Sequence, residues 1–88
     1  MLDKKQKERI IEKYKTHATD TGSPQVQIAI LTAEIKDLSD HLVNHKKDNS
    51  SRKGLLRKVG ERRRLLKYLK REDAKAFDKL AEMLKIEA

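Results

Sequence analysis

The sequence predicts an all-α fold, a small four-helix protein whose core is an antiparallel hairpin of the second and third helices. Its 88 residues include one proline and three glycines, and no run alternates apolar with polar residues as a half-buried strand would. Apolar residues instead recur every three or four positions, interrupted only by short polar segments. We expect one domain over residues 1–88, with helices at about 3–15, 24–44, 51–72 and 74–86.

The first helix is expected to begin at Asp3, which forms a plausible capping box with Gln6. Its apolar edge is narrow and consists of Ile10, Ile11 and Tyr14. Such a helix depends on docking against its neighbours for stability. We therefore predict that it is mobile in the free protein.

The second helix follows the turn-prone segment 17–23, with Ser23 as the predicted cap and Pro24 at the first helical position. A seam of five aliphatic residues then repeats at spacings of three and four: Ile28, Leu31, Ile35, Leu38 and Leu42. Gln27, Glu34 and His41 follow one edge of this seam at steps of seven. We expect these polar side chains to face a groove between helices.

The third helix is expected to fold back on the second, because only the short polar segment 45–50 separates them. Ser50 or Ser51 is the predicted cap. A fourth segment begins at Glu72 and Asp73 and carries an apolar stripe that includes Phe77. Neither Gly nor Pro marks the boundary between the third and fourth helices, so one long bent helix is the alternative.

Positive charge is concentrated in one segment. Residues 46–71 carry 12 of the 22 basic residues and two acids, for a net charge of +10, whereas the remaining 62 residues carry a net charge of −2. On a helical projection the basic residues oppose the leucines, and Tyr68 lies among the arginines. This pattern indicates a polyanionic partner, namely RNA, DNA or an acidic membrane surface, with a merely solvated charged face as the alternative.

The residue types argue against catalysis and metal binding. The chain has no cysteine, Gly-rich phosphate loop or nucleophile elbow. His41 and His45 have the i, i+4 spacing of a metal-binding pair but no convincing third ligand. We predict no metal site, no cofactor and no enzyme activity. The chain also lacks a signal-peptide pattern and any stretch near the roughly 18 apolar residues of a membrane span, so we expect no membrane-spanning segment. Among the polyanions we expect RNA as the partner and no membrane.

Two polar turns and two helical glycines are the candidates for recognition. Segment 21–23 either binds an anion at the open amides of the second helix or is a structural cap. Asp48 either accepts from base amino groups and ribose hydroxyls or bonds its own backbone. Gly54 and Gly60 disfavour a helix interior, and they either admit a nucleic-acid backbone at close range or, for Gly54 near the helix start, have no function.

Three runs together resemble bacterial small-subunit ribosomal protein fifteen. They are DTGSPQVQ at 20–27, the segment from His41 to Leu56 that contains HKKD and SRKGLL, and RRRLLKYLK at 62–70. The resemblance implies a protein of the cytoplasmic ribosome, monomeric when free, that binds a three-way junction of small-subunit rRNA and helps nucleate platform assembly. It also implies a bridge to large-subunit rRNA and assembly linked to ribosomal proteins six and eighteen.

The resemblance also implies which residues bind RNA. Those expected at the junction are Thr21, Gly22, Gln27, Tyr68 and Arg71, with Arg64 nearby. His41, Asp48 and Ser51 are expected to read the shallow groove of a nearby paired segment that contains a G·U pair. On charge and position, we expect phosphate contacts from Lys46, Lys47, Arg52 and Arg57. The alternative function is a basic helical module that binds DNA or an acidic protein through non-specific electrostatics.

Overall fold

The computed structural model describes residues 2–20 and 22–85, and this part of the chain contains four α-helices and no strand. The all-α prediction is confirmed. The helices are α1 (Lys4–Tyr14), α2 (Pro24–Asn44), α3 (Asn49–Glu72) and α4 (Ala74–Leu84). Thr21 and the predicted end of the fourth helix at residue 86 lie outside the described residues.

The first two helices begin with the predicted caps. The Gln6 amide donates to Asp3 Oδ1 at 2.8 Å, and the Asp3 amide donates to Gln6 Oε1 at 3.0 Å, which completes the capping box. Ser23 Oγ accepts from the Val26 amide at 3.3 Å, and Pro24 opens α2. Both helix starts are therefore encoded by residues within one turn of the terminus.

The start of α3 differs from the prediction of a Ser50 or Ser51 cap. Asp48 caps α3, because its Oδ1 accepts from the Ser51 amide at 3.0 Å, and the helix begins at Asn49. A carboxylate reaches this amide as a serine hydroxyl would, and its negative charge also complements the positive end of the helix dipole. The predicted cap was therefore two or three residues too late.

Asp73 separates α3 from α4, so the alternative of one long bent helix is wrong. Its backbone (φ −154°, ψ 86°) is not helical, and its amide still donates to the Leu69 carbonyl at 2.8 Å. The Asp73 side chain then accepts from the Ala76 amide at 3.0 Å and caps α4. One residue ends one helix and starts the next.

Helices α2 and α3 form the predicted antiparallel hairpin and share the most extensive contact in the fold. Two contacts between them give the register: Lys58 Nζ lies 3.4 Å from Glu34 Oε1, and Arg62 Nη1 lies 3.4 Å from Thr32 Oγ1. Positions that increase along α2 thus meet positions that decrease along α3. Helix α1 packs against α2, and α4 packs against both α3 and α2.

The apolar core lies at one end of the hairpin. Its buried cluster comprises Ile28 of α2, Leu69 of α3, and Phe77 and Leu80 of α4. All five buried residues of α2 fall between Val26 and Glu34. The chain measures 40 × 27 × 18 Å along its principal axes. The two-helix tip around residues 45–48 therefore extends away from a four-helix base.

Candidate nucleic-acid interface

Three of the predicted RNA-binding residues meet at the hairpin tip. Asp48 Oδ2 lies 2.9 Å from His41 Nε2 and accepts from Ser51 Oγ at 2.7 Å. The His45 ring stacks on His41, with 4.4 Å between ring centroids and an interplanar angle of 19°. We call His41, His45, Asp48 and Ser51 the tip cluster. It unites the end of α2, the connecting loop and the start of α3.

Asp48 is ionised at neutral pH. The hydroxyl of Ser51, followed by its amide and by His41, holds the pKa of Asp48 well below its usual range. A carboxylate offers about four lone-pair sites, and donors within the tip cluster occupy three of them. Asp48 therefore has the structural role that the sequence left open, and it retains acceptor capacity on Oδ1 for one further donor.

The loop before α2 already holds a negative charge. Asp20 is only 4% exposed. One of its oxygens accepts from the amide and hydroxyl of Thr16, each at 2.8 Å, and the other accepts from the amides of Gly22 at 3.1 Å and Ser23 at 2.8 Å. Hydrogen bonds from the Ser23 side chain and the Thr16 amide hold the pKa of Asp20 well below its usual range.

These contacts decide between the two interpretations for Gly22 and Ser23, the described part of segment 21–23. The amides of Gly22 and Ser23 are not open to an external anion, because Asp20 occupies them, and the structural cap is the observed arrangement. The Gly22 carbonyl accepts from Gln27 Nε2 at 2.7 Å. Two predicted junction residues are thus adjacent. Sequence reasoning missed Asp20, although a carboxylate three residues before a helix cap is a recognisable turn-former.

A groove between α2 and α3 carries the second group of candidate residues. Gln27 and Glu34 line it from α2, opposite Arg64 and Tyr68 of α3. His41 faces a separate depression at the tip that Ser51 also lines. Gln27 and Glu34 therefore face the groove between the helices as predicted, whereas His41 lies at the separate depression at the tip. Glu34 pairs across the interface with Lys58, a partner that the sequence did not indicate.

Tyr68 is 46% exposed, and the Arg71 guanidinium carbon lies 5.6 Å from the centre of its ring. Arg57 and Arg64 are also exposed and lie seven residues apart on the same side of α3. An exposed ring beside arginines is an arrangement suited to stacking on a base and to contacting phosphates. Arg71 also donates through Nε to Glu72 Oε1 at 3.1 Å.

The predicted phosphate-binding residues Lys46, Lys47, Arg52 and Arg57 are all exposed. Lys46 and Lys47 lie in the tip loop, and Arg52 donates to the Lys46 carbonyl. Arg57 lies further along α3. The candidate residues thus form two groups, one at the tip and one along the groove towards the base.

The described residues contain neither a metal-binding group nor a membrane-spanning helix. Within residues 2–20 and 22–85, no group of three or more His, Asp or Glu side chains is placed to hold a metal ion. None of the described helices has the length and apolar character that crossing a membrane requires.

Sequence comparison identifies the relatives of this chain. The sequence model of the family described as ribosomal protein S15 matches residues 6–87. The chain is 52% identical over 85 residues to small ribosomal subunit protein uS15 of Staphylococcus carnosus, an alignment that covers 97% of this chain and 96% of the relative. It is 55% identical over 84 residues to uS15 of Caldanaerobacter subterraneus, covering 96% of each chain.

Proposed function

The chain belongs to the ribosomal protein S15 family, and we propose that within the small ribosomal subunit it binds a three-way junction of rRNA directly. Family membership makes it an RNA-binding structural protein of the cytoplasmic ribosome and not an enzyme, in agreement with the sequence-based prediction.

The observation that carries the proposal is the presence of two separate groups of candidate residues on one helical hairpin. Ser51 belongs to the first group and Tyr68 to the second. The two residues are 17 positions apart on α3, which corresponds to roughly 25 Å of helix. Two separated contact points match an RNA that presents two elements at a defined distance. A duplex recognised only by its charge does not require such spacing.

The tip cluster is suited to the paired segment. The shallow groove of an RNA helix exposes 2′-hydroxyls and base edges, including the amino group of guanine. Asp48 has one acceptor position left for such a donor, and His41 and Ser51 lie beside it. Lys46, Lys47 and Arg52 surround the cluster and would contact the adjacent phosphates, as would Arg57 along the helix.

The second group of candidate residues, along the groove between α2 and α3, is suited to the junction. Tyr68 offers an exposed ring for an unpaired base, while Arg64 and Arg71 offer charge on either side. Gly22 and Gln27 lie together at the start of α2, and Thr21 would complete this group. Unstacked bases at a junction are the RNA feature that aromatic rings and guanidinium groups bind best.

The family resemblance also supports three wider roles. The chain would bind as a monomer early in platform assembly, prepare the site for ribosomal proteins six and eighteen, and contact large-subunit rRNA at an intersubunit bridge. Reconstitution of small subunits with and without the chain tests the assembly role. We expect that omitting it abolishes stable incorporation of the two later proteins, and undiminished incorporation would contradict this role.

Competition binding separates the proposal from non-specific electrostatic binding. Labelled junction RNA is bound to the protein at fixed salt and challenged with unlabelled junction or with duplex DNA of equal length. We expect the junction to compete at least a hundredfold better. Equal competition by DNA would refute the RNA-specific function.

Two substitutions separate a residue that contributes affinity for any RNA from a residue that contributes selectivity. Arg57→Ala should weaken binding to cognate and mutated junctions equally and reduce the salt slope by about one, because it removes one phosphate contact. Asp48→Asn should instead narrow the difference in affinity between the two RNAs. An equal loss on both RNAs for both variants would contradict the proposed roles.

A further inference from the structure

His45 links His41 to Asp48 at the tip of the hairpin. Its amide donates to the His41 carbonyl at 3.1 Å, and its carbonyl accepts from the Asp48 amide at 3.0 Å. Its ring stacks on the His41 ring with 4.4 Å between centroids. His45 therefore holds the backbone on both sides of the His41–Asp48 contact and covers one face of the His41 imidazole.

The contact with Asp48 determines which nitrogen of His41 carries the proton. Asp48 is ionised at neutral pH, and an ionised carboxylate accepts hydrogen bonds but donates none. His41 Nε2, which lies 2.9 Å from Asp48 Oδ2, is therefore the protonated nitrogen. In a neutral imidazole the other nitrogen then has a free lone pair. His41 Nδ1 is thus a hydrogen-bond acceptor whenever the ring is neutral.

His41 Nδ1 is accessible to a partner molecule. Within residues 2–20 and 22–85, no group forms a hydrogen bond to this nitrogen, and the His41 side chain is 40% exposed. In the shallow groove of an RNA helix, the amino group of guanine is the distinguishing base donor, whereas 2′-hydroxyls are present at every nucleotide. An acceptor at the tip therefore distinguishes a base pair that contains guanine from one that does not.

Protonation of His41 would reverse this property. Because Nε2 already carries a hydrogen, an added proton goes to Nδ1 and converts the acceptor into a donor. A donor on Nδ1 opposes the amino group of guanine instead of binding it. Histidine is the side chain whose charge ordinarily changes between pH 5 and 8, whereas Asp48 remains ionised over that range. Mild acidification therefore changes His41 without removing the charge of its carboxylate partner.

The titratable groups around His41 come from α2 and the tip loop. Asp37, Asp40 and His45 line the same depression as His41, and Asp48 contacts its edge. In the described part of the chain, α3 contributes only the uncharged Ser51 to this depression, and neither α1 nor α4 contributes a residue. Histidine is thus the residue type in this depression whose charge ordinarily changes near neutral pH.

We propose that His45 is a positioning residue that holds His41 so that Nδ1 accepts a hydrogen bond from RNA, and that the tip consequently loses its discrimination between paired segments on mild acidification. This role rests on the proposed function, because the paired segment at the tip is the ligand concerned. It adds a pH dependence to that site and a function for His45, a residue outside the predicted RNA contacts.

Nuclear magnetic resonance of the free protein tests the state of His41 without RNA. Long-range correlation spectra between the carbon-bound ring protons and the ring nitrogens distinguish the two neutral tautomers. At pH 8 we expect a protonated Nε2 and an unprotonated Nδ1 for His41, because Asp48 accepts from Nε2. The opposite tautomer, or equal populations of the two, would overturn the proposal.

Binding at two pH values tests recognition by the original chain. Junction RNA is prepared with guanosine or with inosine at the G·U pair of the paired segment, since inosine lacks only the amino group. At pH 8 the guanosine RNA should bind about tenfold more tightly, and at pH 5.5 the two affinities should agree within about twofold, because the acceptor has become a donor. The positive charge gained on protonation strengthens binding to both RNAs and cancels in their ratio.

Substitutions of the histidines test the positioning role. His45→Ala removes the ring that stacks on His41 and should reduce the preference for guanosine at pH 8 to about threefold or less. His45→Phe keeps an aromatic ring there and should restore most of the preference and its pH dependence. His17→Ala is the control, since His17 is exposed and lies in the loop before α2. Equal preferences for His45→Ala and His17→Ala would contradict the role of His45.

The outcome at each pH separates this proposal from the proposed function. No preference for guanosine at pH 8 would refute the reading of the paired segment by the tip, which belongs to the proposed function. A preference of the same size at pH 8 and pH 5.5 would overturn only the role of His41 protonation, because Asp48 is ionised at both values. This comparison uses the original chain, so the proposal can be refuted even if His45→Ala does not fold.

Discussion

Replacing Lys58 by methionine should destabilise the hairpin, because it leaves the Glu34 carboxylate buried without its partner. Lys58 Nζ lies 3.4 Å from Glu34 Oε1, and the side chain of Lys58 is 21% exposed and that of Glu34 is 9% exposed. At an effective dielectric constant of about 20, unit charges at this distance attract by about 5 kcal/mol, and desolvation of both groups offsets much of this attraction.

We expect Lys58→Met to lower the free energy of unfolding by about 2 kcal/mol. Loss of one partner from a fully buried pair costs roughly 3–5 kcal/mol, and the residual exposure of both side chains reduces that cost here. Combining Lys58→Met with Glu34→Leu removes the unpaired charge. The double variant should therefore be within about 1 kcal/mol of the original chain.

Urea unfolding followed by far-ultraviolet circular dichroism at pH 7 measures these differences. Lys36→Met provides the control, since Lys36 and Asp40 lie 3.0 Å apart but are 77% and 68% exposed. Removing such a surface pair should cost less than about 0.5 kcal/mol. If Lys58→Met costs no more than Lys36→Met, or if the double variant is as unstable as the single one, the argument from burial is refuted.

Three further predictions concern acid stability, the core and the first helix. Folding lowers the pKa values of Asp20 and Asp48. The two carboxylates therefore stabilise the fold above about pH 4, and this stabilisation is lost as the pH falls further. Below about pH 4, the urea midpoint of the double variant Asp20→Asn, Asp48→Asn should depend less on pH than that of the original chain. Phe77→Ala should cost about 3–4 kcal/mol of unfolding free energy, because Phe77 is 4% exposed in the core cluster, and a loss below about 1 kcal/mol in urea unfolding would contradict this. Residues 4–14 contain no buried side chain, so their amides should exchange fastest among the four helices of the free protein, whereas protection equal to that of α2 would exclude a mobile α1.

Much of the fold could be predicted because its signals are local. The capping box at Asp3 and the cap at Ser23 depend on residues three positions apart, and the second helix has its aliphatic seam in its own sequence. The side of α3 that carries Arg57, Arg64 and Tyr68 also follows from helical spacing alone. These features were predicted correctly because each depends only on residue types and helical spacing within one segment of the chain.

The start of α3 was harder to predict, since several residues near it are able to cap a helix. Ser50, Ser51 and Asp48 are all suitable by residue type. Asp48 is the cap because its carboxylate also contacts His41 at the end of α2 and accepts a hydrogen bond from the hydroxyl of Ser51. Competition among neighbouring caps is therefore decided by a contact between two helices.

The sequence by itself determined the helices, their polar and apolar faces and the one-sided positive charge, because these properties repeat within a few residues along the chain. Only the tertiary structure decided that Asp20 occupies the amides before α2, that Glu34 meets Lys58, and that Asp48 meets His41 at the tip. These outcomes depend on the register between packed helices. A side chain binds the donor or charge that packing brings within reach, and positions along one chain do not specify that distance.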